Sequence, residues 1–267
     1  MPYPKRPIAF ILAATDQGTL IVNRFDYAGH EQDSAYGVGF QLLNNASYED
    51  SESSMVLQLL DERRRHFGDG VTVLDVGANI GVFTITWARH MTGWGRIIAV
   101  EAQERIFQAL CGNIAINNCF NARAIFAAAS RQCGEMLVPV PDYRVPSSFG
   151  SLELRQSPQT EAIGQPIDYH ADGMQTIATV SVDSLNLARL DLLKIDVEGM
   201  EIEVLQGALE TIIRCHPILV IEHLKVDNAI LEDFLRTHGY TIYRVGMNFL
   251  AIHPSDPTHA NVVVAAE

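Results

Sequence analysis

The segment Val73-Leu74-Asp75-Val76-Gly77-Ala78-Asn79-Ile80-Gly81 limits the possible folds more than any other part of this chain. It reads as a buried strand, a tight glycine turn and the start of a helix. Glycines at such a turn let backbone approach a ligand where a side chain would collide. About 20 residues further on, a second apolar run, Arg96-Ile97-Ile98-Ala99-Val100, ends in Glu101, at the distance expected of a ribose-binding acid. A carboxylate there can accept hydrogen bonds from both ribose hydroxyls, so the pair points to a nucleoside-containing cofactor. The glycine spacing is G-x-x-x-G, not the G-x-G-x-x-G of a dinucleotide site. No glycine stands where a pyrophosphate would press on the backbone. A ribose and adenine without phosphate fit better, which points to S-adenosylmethionine.

Around this segment the hydrophobic pattern alternates between strand and helix periods. Strands are expected at 71–76, 96–101 and 122–128, with helices at 80–91 and 104–117. A second series gives strands at 176–182, 190–195 and 218–222, helices at 201–213 and 227–238, and a closing strand pair at 240–245 and 248–253 around Gly246. Such alternation argues for an α/β fold with a mostly parallel sheet and helices on both faces. Before it, 8–13 and 18–24 flank Asp16-Gln17-Gly18 as a hairpin. Residues 25–44 are Gly-rich and polar and carry no clear periodicity. Residues 48–66 read as a helix broken by Phe67-Gly68-Asp69-Gly70. From 132 to 175 the pattern weakens. Residues 134–140 suit an edge strand, and the rest, rich in Ser, Pro, Gln and Gly, shows no clear core. It is too long for an ordinary loop and reads as a substrate-side insertion or a partly mobile segment. The organisation expected is an N-terminal extension over 1–69, a core domain over 70–254 with an insertion at about 132–175, and a loose tail over 255–267.

Composition narrows the partners. The formal net charge is −13, and phosphate neutralisation dominates nucleic-acid binding, so a nucleic-acid substrate is disfavoured. Arg63-Arg64-Arg65 falls at the end of the 48–66 helix, where cations suit the dipole, and reads as a solvated helix end. An internal pocket can still be basic, with Arg144, Arg155 or Lys225 contributing. No apolar run approaches the roughly 20 residues that span a bilayer, and the N-terminus makes a poor signal sequence. A cytoplasmic protein without membrane contact is expected. Cys111, Cys119, Cys133 and Cys215 show neither C-x-x-C pairing nor zinc spacing and read as reduced, mostly buried thiols.

In open α/β sheets the ligand crevice lies outside the carboxyl ends of the strands. Asp75, Gly77, Asn79 and Gly81 occupy the first of these loops, and Glu101 the second. The third strand ends in Ala127-Ala128-Ala129-Ser130; small residues such as Ala128 admit an adenine edge-on or simply pack tightly. Lys194-Ile195-Asp196-Val197-Glu198-Gly199-Met200-Glu201 follows a buried strand and places Asp196 near the reacting atoms. Glu198 is open between site and helix start, and Glu201 reads as a helix-start residue. The next strand, Ile218-Leu219-Val220-Ile221, ends in Glu222-His223: a base, a metal site or an ordinary polar strand end.

On these residues the chain resembles the FkbM family of S-adenosylmethionine-dependent methyltransferases. The likeness is carried by the Asp75–Gly81 loop, Gly95-Arg96-Ile97-Ile98-Ala99-Val100-Glu101, Val182-Asp183-Ser184-Leu185, the block from Leu192 to Glu201, and Ile221-Glu222-His223. It spans roughly 70 to 245. One departure stands out: where the family commonly continues Pro-Asn-Pro after the ribose acid, this chain has Ala102-Gln103-Glu104. The resemblance implies a Rossmann-like, seven-stranded methyltransferase sheet with an antiparallel last strand, and O-methylation of a hydroxyl on a sugar or other small metabolite.

A hydroxyl is a poor nucleophile, so a base or metal must help remove its proton. Asp196, Glu222 and His223 are expected to face the methyl group, with His223 or Asp196 taking the proton. A Mg²⁺ ion on the same carboxylates is a variant of this reading. Two rivals are an NAD-linked or nucleotide-sugar oxidoreductase, disfavoured by the missing glycine, and a non-catalytic binding protein on the same fold.

Overall fold

The computed structural model describes residues 7–29, 35–170 and 174–261. The expected hairpin is present: β1 (Phe10–Thr15) pairs antiparallel with β2 (Gly18–Asn23), Thr15 opposite Gly18. Two helices follow, α1 (Val38–Asn45) and α2 (Asp50–Phe67). Acids Asp50 and Glu52 open α2 and Arg64, Arg65 and His66 close it, matching the helix dipole. The amide of Gly68 closes its last turn by donating to the Arg64 carbonyl at 2.8 Å. Helix α1 falls, but for its last residue, within 25–44, where no period showed. A buried carboxylate holds it: Asp26 accepts from the Gly39 amide at 2.9 Å and the Phe149 amide at 3.0 Å. Burial pushes Asp26 up to about 6, against the pull of those two amides.

The central sheet follows in order β3 (Val71–Val76), β4 (Gly95–Glu101), β5 (Ala122–Phe126), then β9 (Leu192–Ile195), β10 (Ile218–Glu222), β11 (Thr241–Val245) and β12 (Asn248–Ile252). Helix α3 (Val82–His90) links β3 to β4, and α4 (Glu104–Ile116) links β4 to β5. Strand order is β11-β12-β10-β9-β3-β4-β5. Strand β12 runs antiparallel to both neighbours, and the other pairs are parallel. This is the expected seven-stranded Rossmann-like sheet with an antiparallel last strand. Because a strand alternates its faces, β3 sends Val73 into a core with Val56, Leu60, Ile85 and Trp87, and Leu74 into a second core with Val204, Leu231 and Leu235. Strand order reverses between β3 and β9: successive strands run out to β5 on one side and to β10 on the other, which opens a crevice at their carboxyl ends.

Two elements and the insertion differ from expectation. The strand expected at 122–128 stops at Phe126; β6 (Ala128–Ala129) joins a separate three-stranded sheet, order β6-β8-β7, with β7 (Gly134–Val138) and β8 (Gln175–Val180). The helix expected at 201–213 is two, α5 (Glu201–Gln206) and α6 (Leu209–Cys215), split at Gly207. A β-carbon on Gly207 would lie 2.2 Å from the Ser130 carbonyl oxygen. Helix α7 (Asn228–Thr237) is capped by Asp227, whose side chain accepts from the amides of Ala229 and Ile230. The insertion has a core after all, since Phe149, Leu152, Leu154 and Ile163 are buried.

Nor is the end of the chain wholly loose. Arg63, expected in solvent, is buried between Asp191 at 3.0 Å and Asp256 at 2.6 Å. Residues Pro257–Asn261 form a short 3-10 turn; 262–267 lie outside the described residues. Of the thiols, Cys119 is buried, Cys215 half-buried, and Cys111 and Cys133 exposed. No helix among the described residues is long and apolar enough to cross a membrane.

Candidate functional site

The loop after β3 is a run of left-handed positions: Gly77 at φ 81°, Asn79 at 51° and Gly81 at 86°. Glycine and asparagine are the residues that tolerate this conformation. The amides of Gly77 and Ala78 both donate to the Val100 carbonyl at 3.0 Å. The Asn79 amide donates to Glu101 Oε2 at 2.9 Å, and the Gln103 amide to Glu101 Oε1 at 2.7 Å. Glu101 thus ties two loops together and has lone pairs left for a ligand. Burial raises it to about 7 despite its backbone donors.

Both glycines also serve the protein's own packing. A β-carbon on Gly77 would lie 1.7 Å from the Asp196 carbonyl oxygen, and one on Gly81 would lie 2.4 Å from Leu110 Cδ1.

A cleft of about 600 Å³ opens over these loops, within the size range of small-molecule sites. Of the residues singled out from sequence, Gly77, Asn79, Glu101, Ala128, Asp196 and Glu222 line it, and so does Glu198. Three do not. Gly81 shapes the turn from behind. Asp75 is 1% exposed, donor-bonded by Thr84 Oγ1 at 2.5 Å and paired in register with Lys194. It sits under the cleft floor because its strand position faces α3. His223 follows Glu222 by one residue, so strand alternation turns it to the opposite face. Its ring stacks on Phe249, centroids 4.4 Å apart at 25°.

The acidic end is built from two loops. Asp196, Glu198 and Glu222 each place a carboxylate oxygen within 4.8 Å of the others. Lys194, 2% exposed, sets its ammonium 2.7 Å from Asp196 Oδ2 and 5.1 Å from the centre of the Phe83 ring. Lys225 sits 2.7 Å from Glu198 Oε2. Glu201 starts α5 as expected and folds back to accept from the amides of Val197 and Gly199. Burial, then the charges of Asp196 and Glu198, push Glu222 up to about 9. Burial, then Asp196, push Glu198 up to about 7, against the pull of Lys225. Of the basic residues expected near a pocket, only Lys225 reaches it; Arg144 and Arg155 pair with Asp142 and Glu203 at the surface.

Sequence reasoning missed much of the wall. Tyr36, Gln41, Tyr48 and Glu49 come from the N-terminal extension, and Ser148, Gly150 and Leu152 from the insertion. No local pattern marks them, since their place is set by long-range contacts such as Asp26. Lys194 did carry a signal: a lysine inside an otherwise apolar strand must find buried acids.

The sequence model of the methyltransferase FkbM domain matches residues 75–242. A curated protein named Methyltransferase 1, from Beauveria bassiana (strain ARSEF 2860), is 28% identical over 190 residues, covering 66% of this chain and 74% of that protein. Among solved structures, a methyltransferase FkbM from Methylobacillus flagellatus KT aligns with a TM-score of 0.47 at 16% identity, over 69% of this chain. This chain spans 44% of that protein's length. Magnesium protoporphyrin IX methyltransferase from Synechocystis PCC 6803, solved with bound SAM, aligns at 0.45 and 11% identity, over 86% of this chain and 88% of that one. The domain match covers more than half of the sequence, including both cleft-forming loops, and by it the chain belongs to the FkbM methyltransferase family.

Proposed function

We propose that this protein transfers the methyl group of S-adenosylmethionine to a hydroxyl oxygen of a sugar or other small acceptor. The observation that carries the reading is the division of the cleft. Glu101 and the Gly77–Asn79 backbone line one part of it, and the carboxylates of Asp196, Glu198 and Glu222 cluster in another. Glu101 receives the ribose hydroxyls, Ala128 borders the adenine, and the Asn79 turn lies beside the amino-acid part. The transfer is an in-line displacement. A lone pair of the acceptor oxygen forms the C–O bond, the C–S bond breaks, and its electrons stay on sulfur as S-adenosylhomocysteine. Alignment of oxygen, carbon and sulfur supplies a large part of the rate.

The acceptor proton goes to Asp196. Lys194 holds that carboxylate in place at 2.7 Å and balances its charge. Glu222 carries a proton near neutral pH and serves as a hydrogen-bond donor to the acceptor. His223 has no part in this scheme, because its ring faces away.

The carboxylate cluster also suits a hard divalent cation such as Mg²⁺. Held by Asp196, Glu198 and Glu222, it would polarise the acceptor oxygen. Lys194 and Lys225 already face two of these carboxylates, so the metal-free scheme is the leading one.

The test is a methyl-transfer screen with radiolabelled S-adenosylmethionine over glycosides and small alcohols, with Mg²⁺ or with EDTA. Label should pass to a hydroxyl compound in both conditions. Asp196→Asn should lower the rate by about 100-fold or more while S-adenosylhomocysteine binding persists. Full activity in that variant would sink the role of Asp196, and activity only with Mg²⁺ would install the metal scheme.

A further inference from the structure

We propose that Lys225 is a positioning residue that clamps residues 149–154 of the insertion across the acceptor end of the cleft. The methyltransferase reading enters only in what the cleft holds; the clamp follows from geometry. Lys225 lies on the loop between β10 and α7. Its ammonium makes three contacts on two other parts of the chain. It sits 2.7 Å from Glu198 Oε2, donates to the Ser151 carbonyl at 2.9 Å, and lies 3.8 Å from Glu153 Oε1. The Lys225, Glu198 and Glu153 side chains are 15%, 15% and 10% exposed. This is a largely dehydrated group of charges, unlike an exposed ion pair whose value is small.

The same segment is pinned at its other end. Gln103 Nε2 donates to the Phe149 carbonyl at 2.8 Å, and Gln103 Oε1 accepts from the Tyr143 hydroxyl at 3.2 Å. Gln103 follows β4 and Lys225 follows β10, with β3 and β9 between them in the sheet. Three strand spacings make a gap of roughly 14 Å. The two pinned carbonyls, two residues apart, span at most about 7 Å. Long side chains must bridge the rest, which is why an extended lysine and a glutamine stand at the two banks. The strap therefore runs over the carboxyl ends of β3 and β9, where the ligand crevice lies. It carries Gly150, Ser151 and Leu152 into the cleft lining.

The clamp also sets charge. Glu198 faces Asp196, Glu201 and Lys225, and its carboxylate enters the cluster with Glu222. Without the ammonium, Glu198 would face like charges with no cation of its own at 2.7 Å.

The test uses the full chain as wild type, Lys225→Met and Lys225→Arg. Amide hydrogen exchange is followed without ligand, and S-adenosylhomocysteine binding by calorimetry. In Lys225→Met, amides of 149–154 should exchange at least about tenfold faster, and S-adenosylhomocysteine affinity should fall about tenfold. Strand amides of Leu192–Ile195 should stay as protected as in wild type, which reports an intact fold. Lys225→Arg, of similar reach and charge, should return both readings to within about threefold. If the methionine variant does not fold, Lys225→Gln replaces it with the same expectation. Exchange in 149–154 within twofold of wild type, or an arginine variant as loose as the methionine one, would overturn the clamp. Wild-type protein that binds no S-adenosylhomocysteine would sink the methyltransferase reading instead, and the exchange comparison would still decide the clamp.

Discussion

Gly77 and Asp196 touch through their backbones: a β-carbon on Gly77 would lie 1.7 Å from the Asp196 carbonyl oxygen. The Asp196 amide also donates to the Val76 carbonyl at 3.0 Å. The loop assigned to the cofactor and the loop assigned to proton transfer are thus one packed unit. Gly77→Ala combines a left-handed residue with an overpacked contact. It should cost about 2–5 kcal/mol, read by denaturant unfolding. A loss below about 0.5 kcal/mol would show that the loops part easily.

Lys194 is more deeply buried than Lys225, the other lysine of the site. It has Asp196 at 2.7 Å, and Asp75 and Glu52 also raise its pKa, against the effect of its burial. Lys194→Met leaves these acids uncompensated and should cost about 3–5 kcal/mol at pH 8. Burial raises Asp75 and Glu52, so protonation relieves them early as pH falls. The gap between variant and wild type should narrow at pH 5. An equal gap at both values would show that the cost is packing alone.

Glu222 gives a pH dependence of definite sign. Its carboxyl rises from 4.5 to about 9 through burial, Asp196, Glu198 and Glu201, with Lys194 opposing. The folded state therefore keeps a proton that the unfolded chain has lost. That contribution is fully present below about 4.5 and is lost as pH rises towards 9. Glu222→Gln fixes the neutral form and should flatten this slope. Relative to wild type, the variant should gain about 1 kcal/mol or more between pH 5 and pH 8.5, measured by thermal or urea unfolding. A difference independent of pH would contradict the assignment.

Much of this was legible in the chain. Period alternation marked the mostly parallel sheet, the family resemblance implied its antiparallel last strand, and the glycine loop with Glu101 and the Lys194–Glu201 block marked the crevice edge. What stayed hidden depended on contacts far apart in sequence. Helix α1 and the buried Phe149 share one carboxylate, Asp26, which no local period announces. Asp75 and His223 looked like site residues because they end strands next to true lining residues. Their side chains point the other way, one beneath the floor and one onto Phe249. Arg63 looked like a solvated helix end, and only Asp191 and Asp256 reveal it as buried.

We propose that Glu101 holds the ribose of S-adenosylmethionine. The most direct measurement is calorimetric titration of wild type and Glu101→Ala with S-adenosylhomocysteine across pH 5.5–8.5. Wild type should bind at micromolar concentration. Its affinity should fall as pH drops below about 7, where Glu101 takes up its proton. The variant should bind at least about tenfold more weakly and lose that pH dependence, while a folded thermal transition persists. Wild-type binding unchanged by the substitution would contradict the ribose assignment, and no binding by either protein would contradict the methyltransferase reading itself.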